Sequence, residues 1–253
     1  MKNLNYLSLR ANQLYGKVPT QWWQMSKLIY IDLGMNRLEG IISQDVGDLM
    51  DLKYFHLNSN NFDGSLPNQI GNLNSVSDVD VSDNFLQGSI PVTISGLLLV
   101  EKLWICNNSI TGSIPSTVGQ LSTIDDLRLR GNQLAGTIPE QIFRLSSLAL
   151  LDLSQNNLSG SLSSSISDFS PTQFSALFIN QNNFSGTIPS SIGNLAFLDR
   201  MELQGNNFYG TFPANICLMP WSVLIADCSK LAGSRQCCTK CCSNDGTNCL
   251  PTH

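Results

Sequence analysis

The sequence predicts a solenoid: one parallel sheet of short strands, one strand per repeat, closing over a single continuous core. Three observations predict it. An asparagine returns at Asn12, Asn36, Asn60, Asn84, Asn108, Asn132, Asn156, Asn182 and Asn206, nine copies spaced 24 residues apart with one interval of 26. Ahead of each anchor runs L-x-x-L-x-L, as in LNYLSL from Leu4, and the L-x-L alternation is that of a strand with one buried face. Behind it runs G-x-I-P, as in VSDVDVSDNFLQGSIP ending at Pro91 and IDDLRLRGNQLAGTIP ending at Pro139. A period of this length marks a stack of similar units, none of which buries its apolar face alone.

Each element of the repeat has a physical task. A buried asparagine both donates and accepts, so an anchor at the end of every strand satisfies backbone groups that the following turn would otherwise orphan. Gly16, Gly40, Gly64, Gly88, Gly112, Gly136, Gly160, Gly186 and Gly210 supply a permissive backbone, and the proline that follows most of them stops the strand. The frame resembles the leucine-rich repeat in the 24-residue G-x-I-P form of plant-type extracellular proteins, over about residues 1–213. That resemblance implies an α/β solenoid: a curved right-handed superhelix with a parallel concave sheet and short helical or 3₁₀ segments on the convex side. Nine repeats occupy 1–213, and 214–253 form a degenerate last repeat and a cap.

The two ends differ. Met1 enters the first repeat without a charged leader, an apolar h-region or a capping segment, so the first cross-section is expected to be open, as in a fragment or a chain whose end a partner covers. At the other end Cys217, Cys228, Cys237, Cys238, Cys241, Cys242 and Cys249 place seven cysteines in 33 residues. This density marks a disulfide scaffold, and hence a secreted or cell-surface setting. The vicinal pairs and the lack of a nearby histidine other than His253 favour bridges over a zinc site at Cys238-x-x-Cys241. Seven is odd, so one cap cysteine is left over; Cys106 lies about 24 Å away at ~4.8 Å per strand, too far to pair with it. The run ADCSKLAGSRQCCTKCC resembles the C-terminal cap of leucine-rich repeat proteins from microalgae such as diatoms.

Composition narrows the function. The chain has 253 residues, 42% apolar and 13% charged, enough for a continuous core, and its net charge of −5 lacks the basic excess that binds nucleic acid. Its apolar runs fall far short of the roughly 20 residues needed to span a bilayer. Two histidines, His56 and His253, exclude nearly every His-dependent catalytic constellation, and neither G-x-S-x-G, H-E-x-x-H nor a P-loop occurs. Asp32, His56 and Asp80 share one outward column without a nucleophile, which reads as charge balance. No enzyme, cofactor or metal is expected.

Function then rests with the outward strand residues, in three columns. The first runs Tyr6, Tyr30, Tyr54, Asp78, Lys102, Asp126, Leu150, Ala176, Arg200; the second Ser8, Asp32, His56, Asp80, Trp104, Arg128, Asp152, Phe178, Glu202; the third Arg10, Gly34, Asn58, Ser82, Cys106, Arg130, Ser154, Asn180, Gln204. Aromatics and arginines dominate binding hot spots. They cluster as the tyrosine ladder Tyr6, Tyr30, Tyr54 and as Lys102, Trp104, Arg128 and Arg130, with Phe178 beyond. An exposed Trp104 stacked with Arg128 is expected there. Three sequons, at Asn107, Asn157 and Asn183, offer glycan sites, and sugars on the last two would crowd that flank of the sheet.

The expectation is a non-catalytic extracellular module that binds a protein, peptide or glycan on its concave face. The alternative is a structural or ice-interacting surface built from the hydroxyl row Ser65, Ser89, Ser113, Thr137, Ser161, Thr187 and Thr211.

Overall fold

The structure, a computed structural model, describes residues 3–170, 172–234, 237–243, 246–247 and 249–251; His253 lies outside them. The nine L-x-L segments form strands β1 (Tyr6–Ser8), β2 (Tyr30–Asp32), β3 (Tyr54–His56), β4 (Asp78–Asp80), β5 (Lys102–Trp104), β6 (Asp126–Arg128), β7 (Leu150–Asp152), β8 (Ala176–Phe178) and β9 (Arg200–Glu202). Three more follow from the cap, β10 (Val223–Asp227), β11 (Lys240–Cys242) and β12 (Leu250–Pro251), so one sheet of 12 strands runs from the first repeat into the cap. All neighbours pair in parallel except β11 and β12. Between strands the chain returns through short 3₁₀ turns such as Asn68–Asn72 and Val92–Gly96.

The apolar half of each strand builds the core. Ile31, Phe55, Val79, Leu103, Leu127, Leu151, Leu177 and Met201 stack one above another at 1% exposure or less and belong to one continuous cluster. Close approach of successive 3₁₀ turns explains the I-G-x-L frame: a Cβ added to Gly71 or Gly96 would overlap a carbonyl oxygen, that of Thr93 or of Gly71. The 26-residue repeat places its two extra residues between the 3₁₀ turn Ser164–Asp168 and β8, where Phe169 stacks on Phe174 with centroids 4.1 Å apart.

The anchor asparagines form a ladder along the stack. Asn84 accepts from the backbone N–H of Phe62 at 2.9 Å and donates to the carbonyls of Leu57, Val81 and Ser82. Asn36, Asn60, Asn108, Asn132, Asn156, Asn182 and Asn206 likewise reach both their own turn and the preceding repeat. Asn12 departs from the expected burial: it is exposed and, among the described residues, its side chain bonds only the carbonyls of Leu9 and Arg10, because β1 is the first strand of the sheet. The residue before each anchor is left-handed, from Ala11 at φ 55° to Gly205 at φ 72°, a feature with no residue type in common.

The cap closes the far end. Bridges join Cys217 to Cys237, Cys228 to Cys241 and Cys242 to Cys249; Cys238, buried, belongs to none of the three, and Cys106 is likewise outside them. Asp227 accepts from the backbone N–H of Gly205, and Lys230 donates to the carbonyl of Asn206, so charged side chains finish the ladder that the asparagines began.

Candidate functional site

Strand register sets the site. Tyr6 lies opposite Tyr30, Tyr30 opposite Tyr54, and Trp104 between Asp80 and Arg128, so the outward residues stand in columns across the sheet.

The first cluster occupies β1 to β4. The rings of Tyr6 and Tyr30 stack at 4.3 Å, and Tyr54 tilts against Tyr30 at 5.5 Å. Tyr6 remains 59% exposed and Tyr54 40%. Burial, then the charge of Asp32, pushes the Tyr30 hydroxyl up to about 12. In the third column Gly34 leaves room for Arg10 to lie across it and donate to Asn58 Oδ1 at 3.2 Å; a Cβ on Gly34 would stand 2.7 Å from the Arg10 guanidinium. Asp32 receives the backbone N–H of Gly34 and is nearly fully buried. His56 faces a different carboxylate from the one expected: its Nε2 is 3.1 Å from Asp78 Oδ1, in the first column. Burial pulls the imidazole down, but Asp78 outweighs that with help from Asp32 and Asp80, so His56 titrates above its ordinary value. Among the described residues no group of His, Cys, Asp or Glu is placed to hold a metal ion.

The second cluster occupies β5 to β7 and differs from the sequence expectation in two respects. Trp104 is half-buried, not exposed: the Arg128 guanidinium covers its ring at 4.7 Å and Lys102 approaches at 6.0 Å. Arg128 is already committed, donating twice to Asp126 through Nε at 2.8 Å and Nη2 at 2.7 Å. Both residues point outward from one strand two positions apart, so the sequence carried this signal as D-x-R. Among the described residues, the buried indole Nε1–H of Trp104 has no acceptor and the exposed Arg130 has no ion-pair partner. They line a cavity of about 300 Å³ together with Asp80, Cys106, Asn107 and Asp152. Burial pushes the Cys106 thiol up to about 11, which leaves it protonated and unreactive. Phe178, further along the face, lies under Arg200 at 5.5 Å.

The hydroxyl row stands on a separate flank. Ser65, Ser89, Ser113, Thr137, Ser161, Thr187 and Thr211 are all exposed. Each of the first six lies over the glycine of the next repeat, as Ser65 does over Gly88, where a Cβ on the glycine would meet it. Lys17 and Ile41 hold the equivalent places in the first two repeats.

The chain is built of leucine-rich repeats: the Leucine Rich Repeat family model matches residues 51–73, 99–121, 147–169 and 174–195. No curated protein matches it in sequence. Among solved structures, a TDR receptor is 31% identical with a TM-score of 0.81, over 84% of this chain and 37% of that one. The plant peptide hormone receptor RGFR1, solved in complex with RGF2, is 29% identical with a TM-score of 0.79, over 88% of this chain and 39% of the receptor. A plant ice-binding protein is 28% identical with a TM-score of 0.66, over 82% of this chain and 74% of that one. The chain therefore spans well under half the length of either receptor. Among the described residues no helix is long and apolar enough to cross a membrane.

Proposed function

We propose that this chain is a non-catalytic extracellular recognition module whose concave sheet binds a peptide or protein ligand around Trp104 and Arg130. One observation carries the reading: Trp104 and Arg130 line a cavity between β4 and β7, and among the described residues the buried indole N–H has no acceptor and the guanidinium no ion-pair partner. A buried donor left unmet costs about 1–3 kcal/mol, which a ligand oxygen would recover on binding. Arg130 shares the cavity with the carboxylates of Asp80, Asp83 and Asp152, which suits a ligand that presents both signs of charge there, and the tyrosine ladder offers apolar contact further along the same face. Likeness to a peptide hormone receptor supports a ligand of this class. The cap bridges support an oxidising, extracellular setting.

The test is selection from a displayed peptide library on the immobilised chain. Trp104→Ala and Arg130→Ala are expected to weaken the selected peptides by about 30-fold or more, the range of a central anchor worth ~2 kcal/mol, with little change in melting temperature. Arg128→Ala is a poorer probe, because it strands the buried Asp126 carboxylate. Peptides bound equally by both variants would overturn the assignment.

A second reading rests on the exposed hydroxyl row and on the likeness to a plant ice-binding protein: adsorption of that flank to ice. Replacing Ser113 and Thr137 with lysine would then abolish inhibition of ice recrystallisation, while the concave variants would leave it intact.

A further inference from the structure

The fold treats the three Asn-x-Ser sequons in two different ways. Asn107 sits in the left-handed position before anchor Asn108, at φ 51°. Its amide nitrogen donates to Asp83 Oδ1 at 2.8 Å, and its oxygen lies over Gly131 so closely that a Cβ there would overlap it. The same side chain walls the cavity that Trp104 and Arg130 line. Asn107 is thus part of the rim of the concave face.

Asn157 and Asn183 are placed otherwise. Each opens a flank strand, Asn157–Gly160 or Asn183–Gly186, in a sheet separate from the concave one. Both side chains are exposed, as that of Asn107 is, but unlike it neither makes a hydrogen bond within the protein among the described residues. Residues i and i+2 of a strand share a face, so each acceptor and its sequon serine, Ser159 or Ser185, point outward together. Sugars here would rise from the flank and not over the concave columns.

We propose that Asn157 and Asn183 are the N-glycan acceptors of this chain, that Asn107 is not, and that the two glycans screen the flank while leaving the concave site open. The proposal rests on the extracellular reading above. In the transfer, Nδ2 of asparagine attacks C1 of a polyprenyl pyrophosphate-linked oligosaccharide. The C1–O bond breaks, the Nδ2–C1 bond forms, the amide loses one proton and polyprenyl pyrophosphate leaves. Register sets Asn157 opposite Ala135 and Asn183 opposite Ser159, on the two flank strands that run directly into Ser161 and Thr187 of the hydroxyl row. Once glycosylated, this flank cannot lie flat against a crystalline surface.

The experiment is secretion of the full chain from a eukaryotic host behind a cleaved signal, which imposes passage past the transferase whatever the native compartment. Peptide N-glycosidase in heavy-oxygen water then converts each occupied asparagine to labelled aspartate, read by peptide mass mapping. Label at positions 157 and 183 alone is expected, with Ser159→Ala and Ser185→Ala each removing one glycan. Label at 107, or an unlabelled 157 or 183, overturns the proposal. Because the host imposes secretion, the glycan pattern is read whether or not the extracellular reading holds, and the pairing of Cys228 with Cys241 in the same digest shows that the chain carrying it has folded, so failure of one is distinguishable from failure of the other.

Discussion

Replacing Asn84 with alanine removes the centre of the ladder, and the structure sets the size of the loss. Among the described residues the backbone N–H of Phe62 finds its acceptor in Asn84 Oδ1 at 2.9 Å, and both residues are buried. That donor would be orphaned, at a cost of about 1–3 kcal/mol. The three carbonyls on the donor side lose less. Leu57 keeps the amide of Asn60, Val81 keeps that of Asn108, and Ser82 keeps the N–H of Ser59. The total is about 2–4 kcal/mol. Asn12→Ala is the internal control, because this exposed anchor bonds only two carbonyls of its own turn and its loss is expected to cost under about 1 kcal/mol. Urea unfolding followed by circular dichroism measures both, with the slope compared between variants, since a solenoid that frays from one end changes its slope as well as its midpoint. Equal losses for Asn84→Ala and Asn12→Ala would refute the ladder account.

Three further predictions follow from single groups. His56 is expected to titrate above about 6.5 by NMR; since its folded value exceeds the unfolded one, its stabilising contribution is complete below that pH and is lost as pH rises through the folded pKa, and His56→Ala removes this pH dependence. Cys106, with its thiol pushed up to about 11, should resist iodoacetamide at pH 7.5 in the native protein and react on unfolding, whereas rapid native labelling would contradict the burial that raises it. Gly96→Ala forces a Cβ onto the Gly71 carbonyl and should cost more than about 2 kcal/mol by urea unfolding, in the range of overpacking, while Gly233→Ala, with open space around its Cβ but a left-handed φ of 83°, should cost about 1 kcal/mol.

Much of this fold was legible because one chemistry repeats. A buried anchor that must donate and accept at once leaves few alternatives to asparagine, so spacing alone located β1 to β9, and the alternation of L-x-L placed Tyr6, Trp104 and Arg130 on the outward face. The left-handed residue before each anchor was not legible, because Ala11, Met35, Asp83 and Gly131 fill the same backbone position without sharing a side chain. Trp104 was misjudged for a related reason. Columns gave the stacking of Arg128 on the indole, but not that a guanidinium held by Asp126 would cover the ring and leave it half-buried. The sequence count left one cap cysteine over without saying which; the pairing depends on β11 lying beside β10, with Cys241 opposite Ala226.

The concave account is tested most directly by the indole N–H resonances in a ¹⁵N–¹H spectrum, with Trp104 assigned by its disappearance in Trp104→Phe. Titration with a library-selected peptide is expected to shift the Trp104 resonance downfield as its N–H gains an acceptor, while those of Trp22, Trp23 and Trp221 stay in place. Saturable binding of the same peptide with the Trp104 resonance unmoved would contradict recognition at this site.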